Sequence, residues 1–216
     1  QPLTAVSVIT GKMKNRLLLK KLAKKELVAS LEKIQNYIQF LSQTIDDFRN
    51  LFKPNKFPEP TAIESVVEKS LFIIGKQFET HTIKLECVYE YKKELKTYHN
   101  ELIQVFLNLM QNTVDAVIRR QITHPEVRIH EYQRDDYIVV EISDNAGGLP
   151  DTIIENVFLP YYSTNDARFG TGLGLYICRQ IIENLCKGEI AVENVENGAR
   201  FTIKLPLTTL KDFSCR

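Results

Sequence analysis

The sequence predicts an α+β chain: an antiparallel helical hairpin, then a two-layer sandwich in which helices cover one face of a mixed sheet. Three observations carry this. Apolar residues at alternating steps of four and three run unbroken from Leu27 through Leu31, Ile34, Ile38, Leu41, Ile45 and Phe48 to Phe52, the signature of a helix-bundle seam. The next eight residues, Lys53 to Pro60, hold three prolines, which no regular helix tolerates. Beyond them, strand-like and helical runs mix in an order too irregular for strict βαβ alternation, which favours one sheet with helices stacked on a single face.

Taken in order, Leu3, Val6, Met13 and Leu17 continue a weaker version of the seam upstream, and the basic, small-residue stretch Lys20 to Lys25 offers a place to reverse direction. Residues 1–52 therefore read as two antiparallel helices. One hairpin buries too little surface to stand alone, so a homodimeric four-helix bundle is expected, with packing on the chain's own second domain as the alternative. Residues 53–61 form the linker. The second domain, 62–208, opens with a capping box of Thr61 and Glu64 and a helix whose apolar positions are Ile63, Val67, Leu71, Ile74 and Phe78,. Strands are expected at Ile83 to Tyr89, Val127 to Tyr132, Tyr137 to Ile142, Glu189 to Val195 and Arg200 to Leu205, and helices at Glu101 to Arg120 and Leu173 to Leu185,. Residues 209–216 are a tail.

Composition excludes several function classes. Twenty-eight Lys and Arg against 27 Asp and Glu leave a net charge of +1, so no sequence-wide attraction to nucleic acid or an anionic membrane is expected, and any phosphate binding must be local. Cys87, Cys178, Cys186 and Cys215 show neither a CxxC pair nor metal-like spacing with histidine, which suits a reducing, cytoplasmic setting. No apolar run approaches the roughly 20 residues of a membrane span, and no signal peptide is expected at the first helix. Direct membrane contact is not expected of this stretch.

On the helix Glu101 to Arg120, Asn108, Asn112 and Asp115 fall at i, i+4 and i+7 and share one face, while Leu102, Val105 and Leu109 seat another,. An amide oxygen ligates a hard cation such as Mg²⁺ without adding charge; the alternative is a pair of buried amides bonded to the backbone. The strand Tyr137 to Ile142 runs into Ser143-Asp144-Asn145-Ala146-Gly147-Gly148-Leu149-Pro150. A carboxylate there suits a purine amine, because the wrong base leaves it desolvated and unpaired, although the local pattern taken alone favours an ordinary strand-to-turn Asp. Gly170-Thr171-Gly172-Leu173-Gly174-Leu175 opens directly into a helix, and a glycine-bared helix start binds phosphate. It matches neither the P-loop nor the Rossmann spacing. Before it, Phe158 to Thr164 supply aromatics and hydroxyls, with Phe158 read as core, and Asn165 to Phe169 suit a mobile lid.

Read together, these pieces resemble the GHKL nucleotide-binding fold as used by sensor histidine kinases. Asn108 to Asn112 resembles the family's N box, Asp144 to Gly148 its G1 box, Phe158 to Thr164 its F box and Gly170 to Leu175 its G2 box. The resemblance implies ATP and Mg²⁺ as cofactors. It implies nucleotide binding by Asn112, Asp115, Asp144, Gly148, Tyr162, Thr164, Gly170, Thr171, Gly172, Leu173, Gly174 and Leu175. Mg²⁺ is held through Asn112 with Asn108 supporting, the same two residues serving as the catalytic pair. Ala146 departs from the pattern where G1 has its first glycine, and Leu159 and Tyr162 depart from the F box. The hairpin is similar to the family's dimerisation and phosphotransfer domain, and Gln1 to Thr4 to the residues following its H box, so the accepting histidine is expected upstream of residue 1 and this stretch is not expected to autophosphorylate. His81, His99, His124 and His130 read as surface or strand histidines, and Arg119 and Arg120 as solvated charge at a helix end, with an approach to the phosphates as the alternative.

The resemblance implies transfer of the ATP γ-phosphoryl group to that histidine, then to an aspartate on a response-regulator receiver domain, in the cytoplasmic part of a kinase whose full-length form is open to membrane anchoring. The competing readings are a GHKL ATPase and a nucleotide-binding scaffold without turnover. In the ATPases the position matching Asn108 is a glutamate that activates water; an amide cannot take that proton. A related serine kinase lacks the bundle in front.

Overall fold

The computed structural model describes residues 2–19, 23–35, 38, 57–91, 93–160, 162 and 172–207. The chain forms two compact units, Gln1–Lys53 with Thr164–Thr171, and Pro54–Ser163 with Gly172–Arg216. In the first, helix α1 spans Pro2–Leu18 and residues 24–35 form a second helix, α2. Arg16 Nη1 lies 2.8 Å from Glu26 Oε1 between them, an exposed pair of little energetic weight. Leu31 and Ile38 of the apolar seam are about half exposed. Leu41, Ile45, Phe48 and Phe52 lie outside the described residues.

The second unit holds a five-stranded sheet of order β2-β4-β5-β7-β6 and a two-stranded sheet β1-β3. Its elements are β1 (Glu59–Thr61), α3 (Ile63–Thr80), β2 (Lys84–Tyr89), β3 (Leu95–Thr97), α4 (His99–Arg120), β4 (Glu126–Arg134), β5 (Tyr137–Asp144), α5 (Asp151–Ile154), α6 (Gly174–Arg179), a π-helical continuation Gln180–Leu185, β6 (Glu189–Val195) and β7 (Gly198–Pro206). Strands β2 and β4 are parallel and need a long crossover, which contains α4. The remaining pairs of the larger sheet are antiparallel. The two hairpins close through two-residue loops in which Asp135 and Asn197 take positive φ, a conformation Asp and Asn tolerate.

Helix α4 forms because Leu102, Val105, Phe106, Leu109, Met110, Val114 and Val117 recur at helical spacing, and all are buried. It ends where Gln121 turns left-handed at φ 53°, returning its N–H to the last turn,. Helix α3 turns Ile63, Val66, Val67, Ile74 and Phe78 inward. These faces close on Val127, Ile129, Ile138, Val140, Ile142, Phe201, Ile203 and Leu205 of the sheet, giving the expected two layers.

Four expectations need correction. The linker does not extend to residue 61: Glu59–Thr61 is a strand paired with Leu95–Thr97, possible at Pro60 because a two-stranded sheet leaves that edge free of a further donor. The Thr61 and Glu64 capping box does not form. Thr61 belongs to β1, its hydroxyl donates to the Glu59 carbonyl at 3.1 Å, and Ala62 caps α3 without a side-chain bond. The helix expected over Leu173 to Leu185 is α-helical only to Arg179. Its last six residues are a π-helix, the Cys186 N–H reaching back to the Ile181 carbonyl; the wider turn buries Ile181, Ile182 and Cys186 together,. His99 is neither a surface nor a strand residue. It opens α4, is buried, and lies 2.7 Å through Nε2 from Lys69 Nζ.

Candidate active site

The site is assembled around α4, which faces the end of β5 with one residue and the start of α6 with another. Thr113 Oγ1 lies 3.2 Å from Asp144 Oδ2. Five residues earlier, about 7.5 Å along the axis, Asn108 Nδ2 lies 3.4 Å from the Gly174 carbonyl. The strand-end carboxylate and the glycine-rich helix start, far apart in sequence, are thus set on one helix.

Asp144 is half-buried, and its oxygens are oriented by the chain itself. The Ala146 N–H donates to Oδ1 at 2.8 Å and the Ala199 N–H at 3.4 Å. A carboxylate offers about four acceptor positions, so three donors leave capacity for one more. Strand β7 comes this close because Gly198 has no side chain: a Cβ there would run into the Asp144 carbonyl.

After Asp144 the chain turns at Gly147 (φ 88°) and Gly148 (φ 68°), conformations that glycine adopts without steric cost. Ala146, where the resemblance has a glycine, is buried with no positive φ, so the departure leaves the turn intact. The Gly147 N–H donates to the Asn197 carbonyl at 2.8 Å. Asn145 anchors the near side, its amide exchanging hydrogen bonds with the Glu126 N–H and the His124 carbonyl, both at 2.8 Å.

Of the α4 face, Asn108 and Asp115 are half-buried and Asn112 is exposed. Asp115 accepts from Gln111 Nε2 at 2.9 Å. Burial pushes its carboxyl up from the usual range, while the Gln111 hydrogen bond and the Arg119 charge pull it back down. The donor set of two amide oxygens and one carboxylate is chemically suited to Mg²⁺. Among the described residues no group of three or more His, Cys, Asp and Glu could hold a metal, so a cation here would take most of its ligands from a bound polyphosphate, as Mg²⁺ commonly does.

At the helix start, Gly172 has φ 66°, Leu173 is buried, and the Ile177 N–H closes the first turn on the Leu173 carbonyl at 2.8 Å. Gly174 packs against Asn108, and Leu175 is half-buried. Phe158 is a core residue with the Arg179 guanidinium 5.9 Å from its ring centre. Tyr162 is half-buried. Thr164, Gly170 and Thr171 lie outside the described residues.

Sequence reasoning missed four residues that shape this site: Thr113, Arg120, Asn194 and Gly198. Arg120, expected as solvated charge, donates through Nη1 to the Ala146 carbonyl. Gly198 alone had a legible signal, the Asn-Gly pair between two strands. Thr113 meets the Asp144 carboxylate, and Arg120 and Asn194 meet backbone, each brought near by the fold, which no spacing rule reports.

Residues 97–209, more than half of the chain, match the family model described as histidine kinase-, DNA gyrase B- and HSP90-like ATPase. The sensor histidine kinase ZraS of Salmonella typhimurium is 29% identical over 170 residues, 77% of this chain and 35% of the relative. Sporulation kinase D of Bacillus subtilis is 26% identical over 182 residues, 81% of this chain and 34% of the relative. The chain thus spans about a third of these relatives. Among solved structures, the Acinetobacter baumannii histidine kinase AdeS superposes with TM-score 0.70 at 20% identity, covering 97% of this chain and 96% of that one. The catalytic domain of histidine kinase ThkA gives 0.62 at 24% identity, covering 70% and 96%. These two likenesses speak to the fold.

Proposed function

This chain belongs to the family of histidine kinase-, DNA gyrase B- and HSP90-like ATPases, and from that premise we propose that its second unit holds Mg²⁺-ATP for transfer to a protein histidine rather than for hydrolysis in place. The ATP-binding kinase domain itself rests on the family match and on the sensor kinases among its relatives. The direction of the chemistry rests on Asn108. On the α4 face turned to the glycine-rich helix start stands a neutral amide 3.4 Å from the Gly174 carbonyl, and an amide has no basicity with which to activate water.

In this reading little covalent chemistry falls to the domain, and its work is positioning and charge neutralisation. Asp144 accepts the adenine amine, its carboxylate pre-oriented by Thr113, Ala146 and Ala199. Gly148 carries the turn beside that carboxylate at positive φ. Backbone amides at Gly172 and Gly174, with Leu173 and Leu175 beside them, receive the phosphates, and Tyr162 flanks the nucleotide. Asn112, with Asn108 and Asp115 beside it, supplies oxygen donors to the metal, which when bound neutralises charge on the transferring phosphoryl group. The acceptor is a histidine upstream of residue 1 on a dimeric helical bundle, and the phosphoryl group passes on to a receiver-domain aspartate. The ThkA structure solved in complex with response regulator protein TrrA supports a partner of that class.

Calorimetric titration with a non-hydrolysable ATP analogue, with and without Mg²⁺ and against the GTP analogue, tests the reading. Micromolar, Mg²⁺-dependent, adenine-selective binding is expected, and restoring the upstream histidine should then give phosphohistidine from ATP. Binding followed by steady phosphate release without phosphohistidine would favour an ATPase. Binding with neither phosphohistidine nor phosphate release would favour a nucleotide-binding scaffold, and no binding would remove the nucleotide reading.

A further inference from the structure

Asn194 stands on β6, an edge strand of the five-stranded sheet, outside every motif of the sequence, yet its carboxamide forms a reciprocal pair with Leu149. The Leu149 N–H donates to Oδ1 at 2.8 Å, and Nδ2 donates to the Leu149 carbonyl at 2.7 Å. The amide edge, one acceptor beside one donor, thereby imitates a rung of a β-ladder. Nδ2 also lies 3.3 Å from Asp151 Oδ1. The side chain closes on this backbone because Gly148 leaves room: a Cβ at Gly148 would lie 2.6 Å from Asn194 Oδ1.

The opposite side of the turn is gripped by Arg120, whose guanidinium donates to the Ala146 carbonyl and occupies the space a Cβ on Gly147 would need. Both positive-φ glycines of the turn are thus glycines for a local reason, one under the Arg120 guanidinium and one under the Asn194 amide.

We infer that Asn194 is a positioning residue of the nucleotide site: its amide fixes the Gly148–Leu149 backbone in one conformation before the nucleotide arrives, with Arg120 as the counter-grip. The inference rests on the nucleotide-binding reading above. Two adjacent glycines at positive φ form the loosest stretch of backbone beside Asp144, and a turn left free must be ordered when ligand binds, at the expense of affinity. Asn194 is exposed, so removing its amide returns the Leu149 groups to water rather than orphaning them, and global stability changes little. The effect belongs in the dissociation constant.

The test is calorimetric titration of the full chain with a non-hydrolysable ATP analogue and Mg²⁺, well below the melting temperature, for the wild type, Asn194→Ala and Asn194→Asp. Asn194→Ala should weaken binding roughly five- to twentyfold with the melting temperature within a few degrees of wild type. Asn194→Asp keeps the acceptor for the Leu149 N–H but sets an oxygen against the Leu149 carbonyl and Asp151, so it should weaken binding at least as much. Equal affinity in wild type and Asn194→Ala overturns the inference, as does a loss of affinity only in proportion to unfolded protein. Absence of binding by the wild type itself removes the nucleotide reading, and the inference with it.

Discussion

Thr113 Oγ1 stands 3.2 Å from Asp144 Oδ2 and fastens the middle of α4 to the C-terminal end of β5. With Ala146 and Ala199 donating to Oδ1, the carboxylate meets donors from the helix, from its own turn and from the neighbouring strand, and it has one direction left in which to accept. Asp144→Asn replaces an acceptor with a donor among donors. The expected result is ATP-analogue affinity lowered on the order of a hundredfold, and Thr113→Val, which only frees the carboxylate to rotate, should cost about three- to tenfold. Calorimetry checks both, and near-wild-type affinity in Asp144→Asn would remove the adenine assignment.

Asn112→Ala should abolish the Mg²⁺ dependence of nucleotide binding while leaving a weaker, metal-independent component. Asn112 is exposed on α4, so its loss leaves the fold alone and the readout is clean. Titrations with and without Mg²⁺ that still differ in the variant would mean that another residue holds the metal.

Glu131 offers a prediction in pH. It lies on the core face of β4, 1% exposed, with no hydrogen-bond partner for Oε1 among the described residues. Burial, and then the Glu64 charge at the start of α3, push its carboxyl up from 4.5 to about 7. The folded chain therefore keeps a proton that the unfolded chain has already released. The contribution is fully present below pH 4.5, declines as the pH rises toward 7, and stays lost above it, a change on the order of 3 kcal/mol. Glu131→Gln removes this titration, so the stability of the variant relative to wild type should rise between pH 5 and pH 8. Parallel denaturation midpoints across that range would show that Glu131 does not titrate this way.

Leu31 and Ile38 of the seam are half-exposed, and in the proposed dimeric bundle these positions would face a second copy. The chain is expected to sediment as a dimer, and Leu31→Glu with Ile38→Glu to sediment as a monomer that still binds nucleotide. Charged side chains at bundle-seam positions remove the apolar contact on which such an interface depends. A wild-type monomer at tens of micromolar would end the dimer reading.

The sequence determined by itself what depends on periodicity and local conformation. The apolar stripe of α4, the alternation in β4 to β7 and the glycine turn after Asp144 are each written within a few residues, and the four boxes were named from a family resemblance carried by residues in and beside them. The boundaries of β1 and β3 were not legible, because three-residue strands hold only by pairing with each other. Nor was the π-turn Gln180–Leu185, which ordinary helix formers adopt so that Ile181, Ile182 and Cys186 are buried together. The fold alone decided which residues support the site. Thr113 and Asp144 are 31 positions apart, Leu149 and Asn194 are 45, and Arg120 meets the Ala146 carbonyl only because the crossover through α4 returns beside β5. Contacts between a side chain and groups distant in sequence carry no periodicity, so only the tertiary structure could identify them.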